Sequence, residues 1–224
     1  MDFAALTALR DRARADLPGW LSLELADATA PQPPLFPEEE AAVGRAVASR
    51  RAEFKAGRAA ARAALAARGG PACAIPAGPD RAPVWPAGYC ASITHTGSLC
   101  LAAAARLSDA QGVGLDLEVL QILEPGVLER VSTETERAGL PADPDHAGAR
   151  IFSAKEAAYK AQYPLSRTLF GFDGLRFDAE GDGRARLGFT RDIAPFAKGD
   201  VLTVRQWQHA GLVLSVCLLP PGED

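Results

Sequence analysis

Residues 112–119 alternate strictly between apolar and other residues, a pattern that constrains the fold more than any other part of the chain. The apolar positions are Val113, Leu115, Leu117 and Val119. A period of two predicts a β-strand with these residues facing the core, and it places Asp116 and Glu118 together on the opposite side. Two charges about 7 Å apart repel each other unless water or a cation lies between them. A half-exposed strand with solvated acids is the alternative interpretation.

Two glycines lie on the same side of this strand as the acids. Gly112 and Gly114 have no side chain that would cover the backbone. We therefore expect a ligand to approach the strand at this point.

A second acidic motif, residues 152–160, has its apolar and charged positions at helical spacing. As a structural motif, it fits a helix with a capping box at its start and an i,i+4 ion pair between Glu156 and Lys160. As a functional motif, it adds Glu156 as a third oxygen ligand for a hard divalent cation, while Lys155 and Lys160 neutralise the charge of phosphates. If the two motifs meet in one cleft, they predict a metal-dependent phosphoryl-type transferase.

The composition is ordinary for a globular protein and limits the function classes. The 224 residues suffice for one large domain or two small lobes, and 48% of them are apolar. A net charge of −4 disfavours nucleic-acid binding by general electrostatics. No apolar run approaches the length of a membrane span, no signal-peptide core is recognised, and the four cysteines fit no zinc-site spacing. We expect a reduced, cytoplasmic protein.

Periodicity and turn residues predict the order of helices and strands. Helices are expected at residues 3–15, 38–68, 124–139 and 150–162. Strands are expected at residues 20–25, 89–95, 99–105, 112–119, 174–177, 185–189, 203–207 and 212–218. A glycine before an apolar strand occurs late in each half, which suggests two similar lobes meeting near residue 108.

The long helix predicted at residues 38–68 is rich in arginine. Arg51 and Arg58 share one of its faces, Arg62 lies one turn further on, and Arg50 lies at the margin of that face. Arginines on a long helix are usually solvated, so a structural role is the alternative to an anion site. His95 ends a predicted strand before a turn, a place that suits either a local hydrogen bond or an anion site.

Five segments of the chain match a known family in their order and spacing. The chain resembles the bacterial 4′-phosphopantetheinyl transferases of the larger, monomeric type, in particular the branch that activates siderophore and other nonribosomal peptide synthetases. The match runs from about residue 50 to the C-terminus, and five segments in this order are highly specific. The segments are residues 50–58, 81–86, 92–95, 114–118 and 152–161.

The resemblance implies a fold and its ligands. The family fold is α+β, a pseudo-dimer of two similar lobes that each pack a small antiparallel sheet against a long helix, with coenzyme A and Mg²⁺ in the cleft between the lobes. For this chain it implies an N-terminal lobe of residues 1–108 with the arginine helix and coenzyme A contacts. Residues 109–224 would form a C-terminal lobe with the metal-binding strand and the catalytic helix.

The resemblance also assigns roles to individual residues. It implies that Asp116, Glu118 and Glu156 bind Mg²⁺, and that Lys155 and Lys160 contact the phosphates of coenzyme A, with Asp116 in the same site. The residues implied for the adenosine and its 3′-phosphate are Arg50, Arg58, Arg81, Thr94 and His95. Helical geometry alone favours Arg51 over Arg50, so that choice stays open.

The implied reaction is Mg²⁺-dependent transfer of 4′-phosphopantetheine from coenzyme A to a serine of an apo carrier protein (acyl, peptidyl or aryl), with release of adenosine 3′,5′-bisphosphate. Glu156 would take the serine proton, directly or through water, and Lys160 would stabilise the leaving phosphate. Two alternatives use the same residues: a non-catalytic module that binds coenzyme A or a carrier, and a Mg²⁺-dependent hydrolase of nucleotide 3′-phosphates. The expected protein is a monomer without a nucleic-acid or membrane partner.

Overall fold

The computed structural model describes residues 2–222 and has the α+β architecture expected from the sequence. Two compact units form. The first comprises the chain up to Gln111 and resumes at Pro220, and the second is Gly112–Leu219. Each unit packs an antiparallel sheet against one long helix, which confirms the prediction of an α+β fold with two lobes.

The first unit has a three-stranded sheet with the order β1-β3-β2. Its elements are α1 (Phe3–Asp16), β1 (Ser22–Asp27), α2 (Pro37–Glu40), α3 (Ala48–Ala67), β2 (Tyr89–Thr96) and β3 (Leu99–Arg106). The interface between α3 and the sheet consists largely of alanines, such as Ala60 and Ala64 on the helix and Ala102 and Ala104 on β3. Small side chains let the helix lie close to the strands at native packing density.

The single helix predicted at residues 38–68 is wrong in its first third. α2 ends at Glu40, turns follow, and α3 begins only at Ala48. The physical reason is the side chain of Glu39, which is completely buried and hydrogen-bonded to Arg62 and to the backbone of Ile75. In one continuous helix, the carboxylate of Glu39 could not reach both Arg62 and the backbone of Ile75.

The second unit has a five-stranded antiparallel sheet with the order β4-β8-β7-β6-β5. Its strands are β4 (Gly112–Val119), β5 (Leu175–Gly181), β6 (Arg184–Phe189), β7 (Val201–His209) and β8 (Leu212–Leu219). Its helices are α4 (Pro125–Val131), α5 (Glu134–Ala138) and α6 (Ala147–Ser166), followed by a 3₁₀ turn (Phe172–Gly174). The first and last strands of the unit pair with each other, so β4 is held along its whole length.

The glycine side of β4 is covered by α6, not open to a ligand as expected. A Cβ atom at Gly114 would overlap the carbonyl oxygen of Ala157, and one at Gly112 would overlap that of Ala161. The glycines therefore serve a close approach of two backbones, which is the other usual reason for glycine within a strand. Through this contact β4 and α6 keep a fixed spacing.

Several boundaries shift by a few residues, and two further helices differ from the predicted ones for a physical reason. The helix expected at residues 124–139 is split into α4 and α5, because Thr133 and Glu136 form a capping box that starts a new helix. α6 continues past Pro164 to Ser166, whereas we expected the proline to end it. Within residues 2–222, the helices are too short or too polar to cross a lipid bilayer.

Candidate functional site

Asp116 lies on β4 with only 3% of its surface exposed. The ammonium group of Lys160, on α6, donates to Oδ1 of Asp116 at 2.7 Å and to the carbonyl oxygen of Leu115 at 3.0 Å. The other oxygen, Oδ2, is buried and has no hydrogen-bond partner among the described residues. A buried carboxylate oxygen without a partner is costly, which points to a ligand that the protein alone does not supply.

Glu118 and Glu156 share the electrostatic environment of Asp116. The pKa of Glu118 is raised to about 7, chiefly by burial and also by the charges of Asp116 and Glu156, against the opposing effect of Lys160. Burial also raises the pKa of Glu156, with Lys160 lowering it and Asp116 raising it. The structure thus places the three predicted acids and Lys160 close enough to influence one another's charge.

These residues fit a hard divalent cation. Carboxylate oxygens are the ligands that Mg²⁺ prefers, and the group offers three carboxylates, one with an unpartnered oxygen. A cation among them would also remove the repulsion that raises their pKa values. Within residues 2–222, however, no three His, Cys, Asp or Glu side chains already converge as a ligand cluster.

Lys155 is engaged elsewhere in the second unit. Its ammonium group lies 2.7 Å from Oε1 of Glu136 and donates to the carbonyl oxygens of Val131 and Phe172 at 2.9 and 3.1 Å. These contacts account for all three N–H donors, and the residue is only 5% exposed. The predicted contact with a coenzyme A phosphate would require one of these bonds to be exchanged, and it stays a prediction.

A pocket of about 220 Å³ adjoins Glu156. Its walls are mostly apolar, and Tyr159 meets Phe170 edge to face with ring centroids 5.2 Å apart. The lining residues are Lys155, Glu156, Tyr159, Phe170, Gly171, Phe172 and Leu175. An uncharged chain of small cross-section suits these walls better than a phosphate does.

In the first unit, the structure places Arg50 beside His95. Nη1 of Arg50 lies 2.8 Å from Nε2 of His95, and it also pairs with Glu53 at 3.3 Å. Because a guanidinium group only donates, Nε2 of the imidazole accepts this bond and the neutral ring carries its proton on Nδ1. Arg51 instead pairs with Glu40 at 3.2 Å, so the geometry favours Arg50 at this site.

Thr94, Arg58 and Arg81 lie in the same unit. Thr94 is buried next to His95 on β2. Arg58 is 5% exposed, stacks on the ring of Phe54 at 4.2 Å and donates through Nε to a backbone carbonyl, and burial lowers the pKa of its guanidinium to about 10. Arg81 is exposed in the loop between α3 and β2, with a positive φ of 66°.

Comparison with known proteins identifies the family. Residues 38–105 match the model of the 4′-phosphopantetheinyl transferase N-terminal domain, and residues 112–217 match that of the 4′-phosphopantetheinyl transferase superfamily. Together the two models cover most of the chain. The chain belongs to the 4′-phosphopantetheinyl transferase superfamily.

Three curated transferases are similar to the chain. The 4′-phosphopantetheinyl transferase Svp of Streptomyces mobaraensis is 43% identical over 174 residues, which is 74% of this chain and 71% of that protein. PptT of Mycobacterium tuberculosis is 37% identical over 194 residues, 82% of this chain and 86% of that protein. Npt of Nocardia iowensis is 38% identical over 156 residues, 68% of this chain and 70% of that protein. The predicted membership of the larger type is confirmed, and so is the prediction of an enzyme.

Sequence reasoning missed a buried hydrogen-bond chain beneath the transferase's acidic site. Oγ of Ser153 on α6 lies 2.8 Å from Oγ of Ser215 on β8, and it donates to the carbonyl oxygen of Asp116 at 3.4 Å. Nε2 of Gln206 on β7 donates to Ser215 at 2.9 Å and to the carbonyl oxygen of Arg150 at 2.8 Å. These hydrogen bonds link α6, β4, β7 and β8, and so they fix the backbone that carries Asp116.

Two buried glutamates were also missed. Glu136 could have been found from the sequence, because Thr133 three residues before it is the signature of a capping box. Glu39 gave no such signal, since three consecutive glutamates at the start of a helix are explained by the helix dipole alone. Both carboxylates bind a cationic side chain of the long helix in their own unit.

Proposed function

We propose that this transferase moves the 4′-phosphopantetheine group of coenzyme A to a serine of an apo carrier protein and releases adenosine 3′,5′-bisphosphate, in a reaction that depends on Mg²⁺. The observation that carries the proposal is the carboxylate of Asp116, of which one oxygen binds Lys160 and the other is buried with no hydrogen-bond partner in residues 2–222. The similar proteins are named 4′-phosphopantetheinyl transferases, which supports 4′-phosphopantetheine as the group transferred.

Asp116, Glu118 and Glu156 are the residues that would hold Mg²⁺. A bound Mg²⁺ would neutralise charge on the diphosphate of coenzyme A and so lower the barrier to attack at phosphorus. Lys160 has two tasks in this proposal. Its bonds to Leu115 and Asp116 fix the orientation of the first ligand, and its positive charge offsets the negative charge of the leaving phosphate.

Glu156 is the proposed general base. It lies on α6 beside the pocket and within electrostatic reach of Asp116, so its carboxylate is near the expected position of the diphosphate. In the reaction, the serine oxygen forms a bond to phosphorus while the bond between phosphorus and the bridging oxygen breaks. The serine proton passes to Glu156, directly or through water, and adenosine 3′,5′-bisphosphate leaves.

The first unit would bind the nucleotide end of coenzyme A. Five residues are proposed for the adenosine and its 3′-phosphate: Arg50, Arg58, Arg81, Thr94 and His95. The short distance between Arg50 and His95 supports Arg50 rather than Arg51 for this role. Guanidinium groups suit a phosphate because their planar forks donate two parallel hydrogen bonds.

The apolar pocket beside Glu156 suits the uncharged pantetheine arm. Its walls offer little polarity except for Lys155 and Glu156. Lys155 fixes this wall through its bond to the carbonyl of Phe172, so we propose that it shapes the pocket before it contacts any phosphate. The carrier, the pathway, the monomeric state and the cytoplasmic location stay predictions.

One incubation tests the proposal. The protein is mixed with coenzyme A, Mg²⁺ and an apo acyl or peptidyl carrier, and the intact mass of the carrier is measured. We expect a gain of one phosphopantetheine group, which is absent with a chelator and absent with a carrier whose acceptor serine is replaced by alanine. Consumption of coenzyme A without carrier would indicate a hydrolase, and no mass gain over a panel of carriers would contradict the proposal.

A further inference from the structure

Glu39 is a completely buried carboxylate for which the reaction has no use. Its side chain is 0% exposed in α2. Nη1 of Arg62 lies 2.7 and 3.0 Å from its two oxygens, and the backbone N–H groups of Ile75 and Phe36 donate to it at 2.8 and 3.0 Å. Burying an ion costs several kcal/mol unless such bonds replace its hydration. So many bonds at one buried charge indicate that it holds other groups in place.

The main group that Glu39 holds is the backbone of Ile75. The N–H group of Ile75 donates to Glu39, and its carbonyl oxygen accepts a bond of 2.7 Å from Nε of Arg58. The side chain of Ile75 is fully buried as well. Glu39 and Arg58 therefore fix the two hydrogen-bonding groups of a single residue.

The same carboxylate acts on the charge of Arg58. The pKa of that guanidinium is lowered to about 10, chiefly by burial and also by the charges of Arg62 and Arg50, while the charge of Glu39 opposes this shift. Arg58 thus stays cationic at neutral pH although it is buried among other arginines. The negative charge of Glu39 offsets the repulsion between Arg58 and the neighbouring arginines.

Ile75 also begins the hairpin that carries Arg81. Val84 donates from its N–H group to the carbonyl oxygen of Pro76 at 2.9 Å, and Gly78 donates to Ala82 at 2.8 Å. Arg81 lies in the turn that the bond between Gly78 and Ala82 closes, and its own N–H group donates to the carbonyl oxygen of Gly78 at 2.9 Å. A hairpin fixed at its base through Ile75 presents its tip in a defined position.

We propose that Glu39 is a positioning residue for recognition of the 3′-phosphate of coenzyme A. It acts through Ile75, which orients Arg58 and anchors the hairpin of Arg81. The inference rests on the proposed function, which assigns both arginines to that phosphate. Because Nε of Arg58 is bound to Ile75, its two Nη groups are the donors that a phosphate would use. Glu39 thereby sets the preference for coenzyme A over 3′-dephospho-coenzyme A.

The test compares carrier modification with the two donors, using one apo acyl carrier protein. The wild type should prefer coenzyme A. Glu39→Gln should raise KM for coenzyme A about tenfold, leave kcat within about twofold and leave KM for 3′-dephospho-coenzyme A unchanged. Glu38→Gln is the matched control, because it removes an exposed charge from the same helix and should keep the preference.

A double-mutant comparison separates this role from a general loss of packing. In an Arg58→Ala background, Glu39→Gln should reduce the donor preference much less than in the wild type, because its effect passes largely through Arg58. An equal loss of donor preference in both backgrounds would contradict an action of Glu39 through Arg58. If Glu39→Gln does not fold, the pair Glu39→Gln/Arg62→Gln, which removes both charges of this ion pair together, replaces it with the same expected result.

Other outcomes also decide the question. A folded Glu39→Gln protein with an unchanged donor preference overturns the inference. A wild type that uses both donors equally overturns it too, while transfer itself remains established. A wild type that modifies no carrier contradicts the proposed function, and this failure is distinct from the first two.

Discussion

The two units contain the same buried device with different consequences. In each, a glutamate on a short helix forms an ion pair with a cationic side chain of the long helix. It also accepts a hydrogen bond from a backbone N–H group of a later segment. In the first unit, Glu39 binds Arg62 and Ile75, and in the second, Glu136 binds Lys155 and Phe177. Each glutamate also accepts the N–H group three residues before it. The device fixes the position of the long helix in both units.

The charges next to this device have opposite signs. In the first unit the side chains proposed for ligand binding include the arginines of α3 and His95, whereas in the second they include the acids of β4 and Glu156. Similar scaffolds thus carry a mainly cationic proposed site in one case and a mainly acidic one in the other. We infer that the sign of the site depends on a few side chains beside a common framework, not on the framework itself.

The largest expected effect is the loss of turnover when the acidic group of the second unit is broken. Glu156→Gln and Asp116→Ala should each reduce kcat by about 10³-fold while the protein stays folded, because a base or a metal ligand is lost. Carrier modification by mass and circular dichroism measure the two properties. Glu129→Gln, at an exposed position of α4, is the control. Rates within tenfold of the wild type in either variant would contradict these roles.

The contact between α6 and β4 should be far less tolerant than that between α3 and its sheet. Gly114→Ala should lower the free energy of unfolding by about 3 kcal/mol or prevent folding, because a Cβ would overlap the carbonyl of Ala157. Gly57→Ala should change it by less than about 1 kcal/mol, since the new Cβ meets only the movable side chain of Ile93 and alanine favours the helix.

Chemical denaturation measures both variants. Gly188→Ala, in β6, is a control for the substitution itself, because nothing lies within 4 Å of its added Cβ. Equal stability of Gly114→Ala and Gly188→Ala would show that the two backbones are not in fixed contact.

A smaller effect is expected from the buried hydroxyl beneath the acids. Ser215→Ala removes the shared partner of Ser153 and Gln206, and it should lower the free energy of unfolding by about 1–2 kcal/mol. It should also increase hydrogen exchange at the amides of β4, a change that the exposed control Ser108→Ala should not cause. Unchanged exchange at β4 would mean that these buried hydrogen bonds do not hold the strand that carries Asp116 and Glu118.

The smallest expected effect is a loss of stability at low pH. Burial raises the pKa of Glu136, but the bond to Lys155 and the N–H groups of Phe177 and Thr133 outweigh it and hold the pKa below its ordinary value of 4.5. The stabilisation is therefore present above about pH 4.5 and is lost as the pH falls below it. Unfolding titrations from pH 6 to pH 3 should show this loss in the wild type and less of it in Glu136→Gln. Parallel curves of stability against pH for the two proteins would contradict a contribution of Glu136 to this loss.

The sequence predicted the parts that depend on local pattern. β4 was predicted at its observed bounds, because alternation with period two is a strong local signal. The acids of the two motifs and Lys160 were named from their spacing, and in the structure their charges influence one another. Their roles stay proposals.

The parts that failed depend on partners distant in the chain. The break between α2 and α3 follows from Glu39, whose cation and backbone partners no local window contains. The ion pair of Lys155 with Glu136, on a separate helix, was missed for the same reason, whereas its contact with a phosphate stays a prediction. Helix periodicity gives the face of a residue, whereas its partner depends on tertiary packing.

The direct approach of α6 to β4 has a consequence for how far the interior can vary. Because main-chain atoms set the spacing at Gly112 and Gly114, the separation of the acids does not depend on the size of the surrounding hydrophobic residues. A library that exchanges the buried aliphatic positions of β6 and β7, with both glycines retained, should yield many functional sequences. Redesign of the interior and redesign of the chemistry are thus separable tasks in this protein.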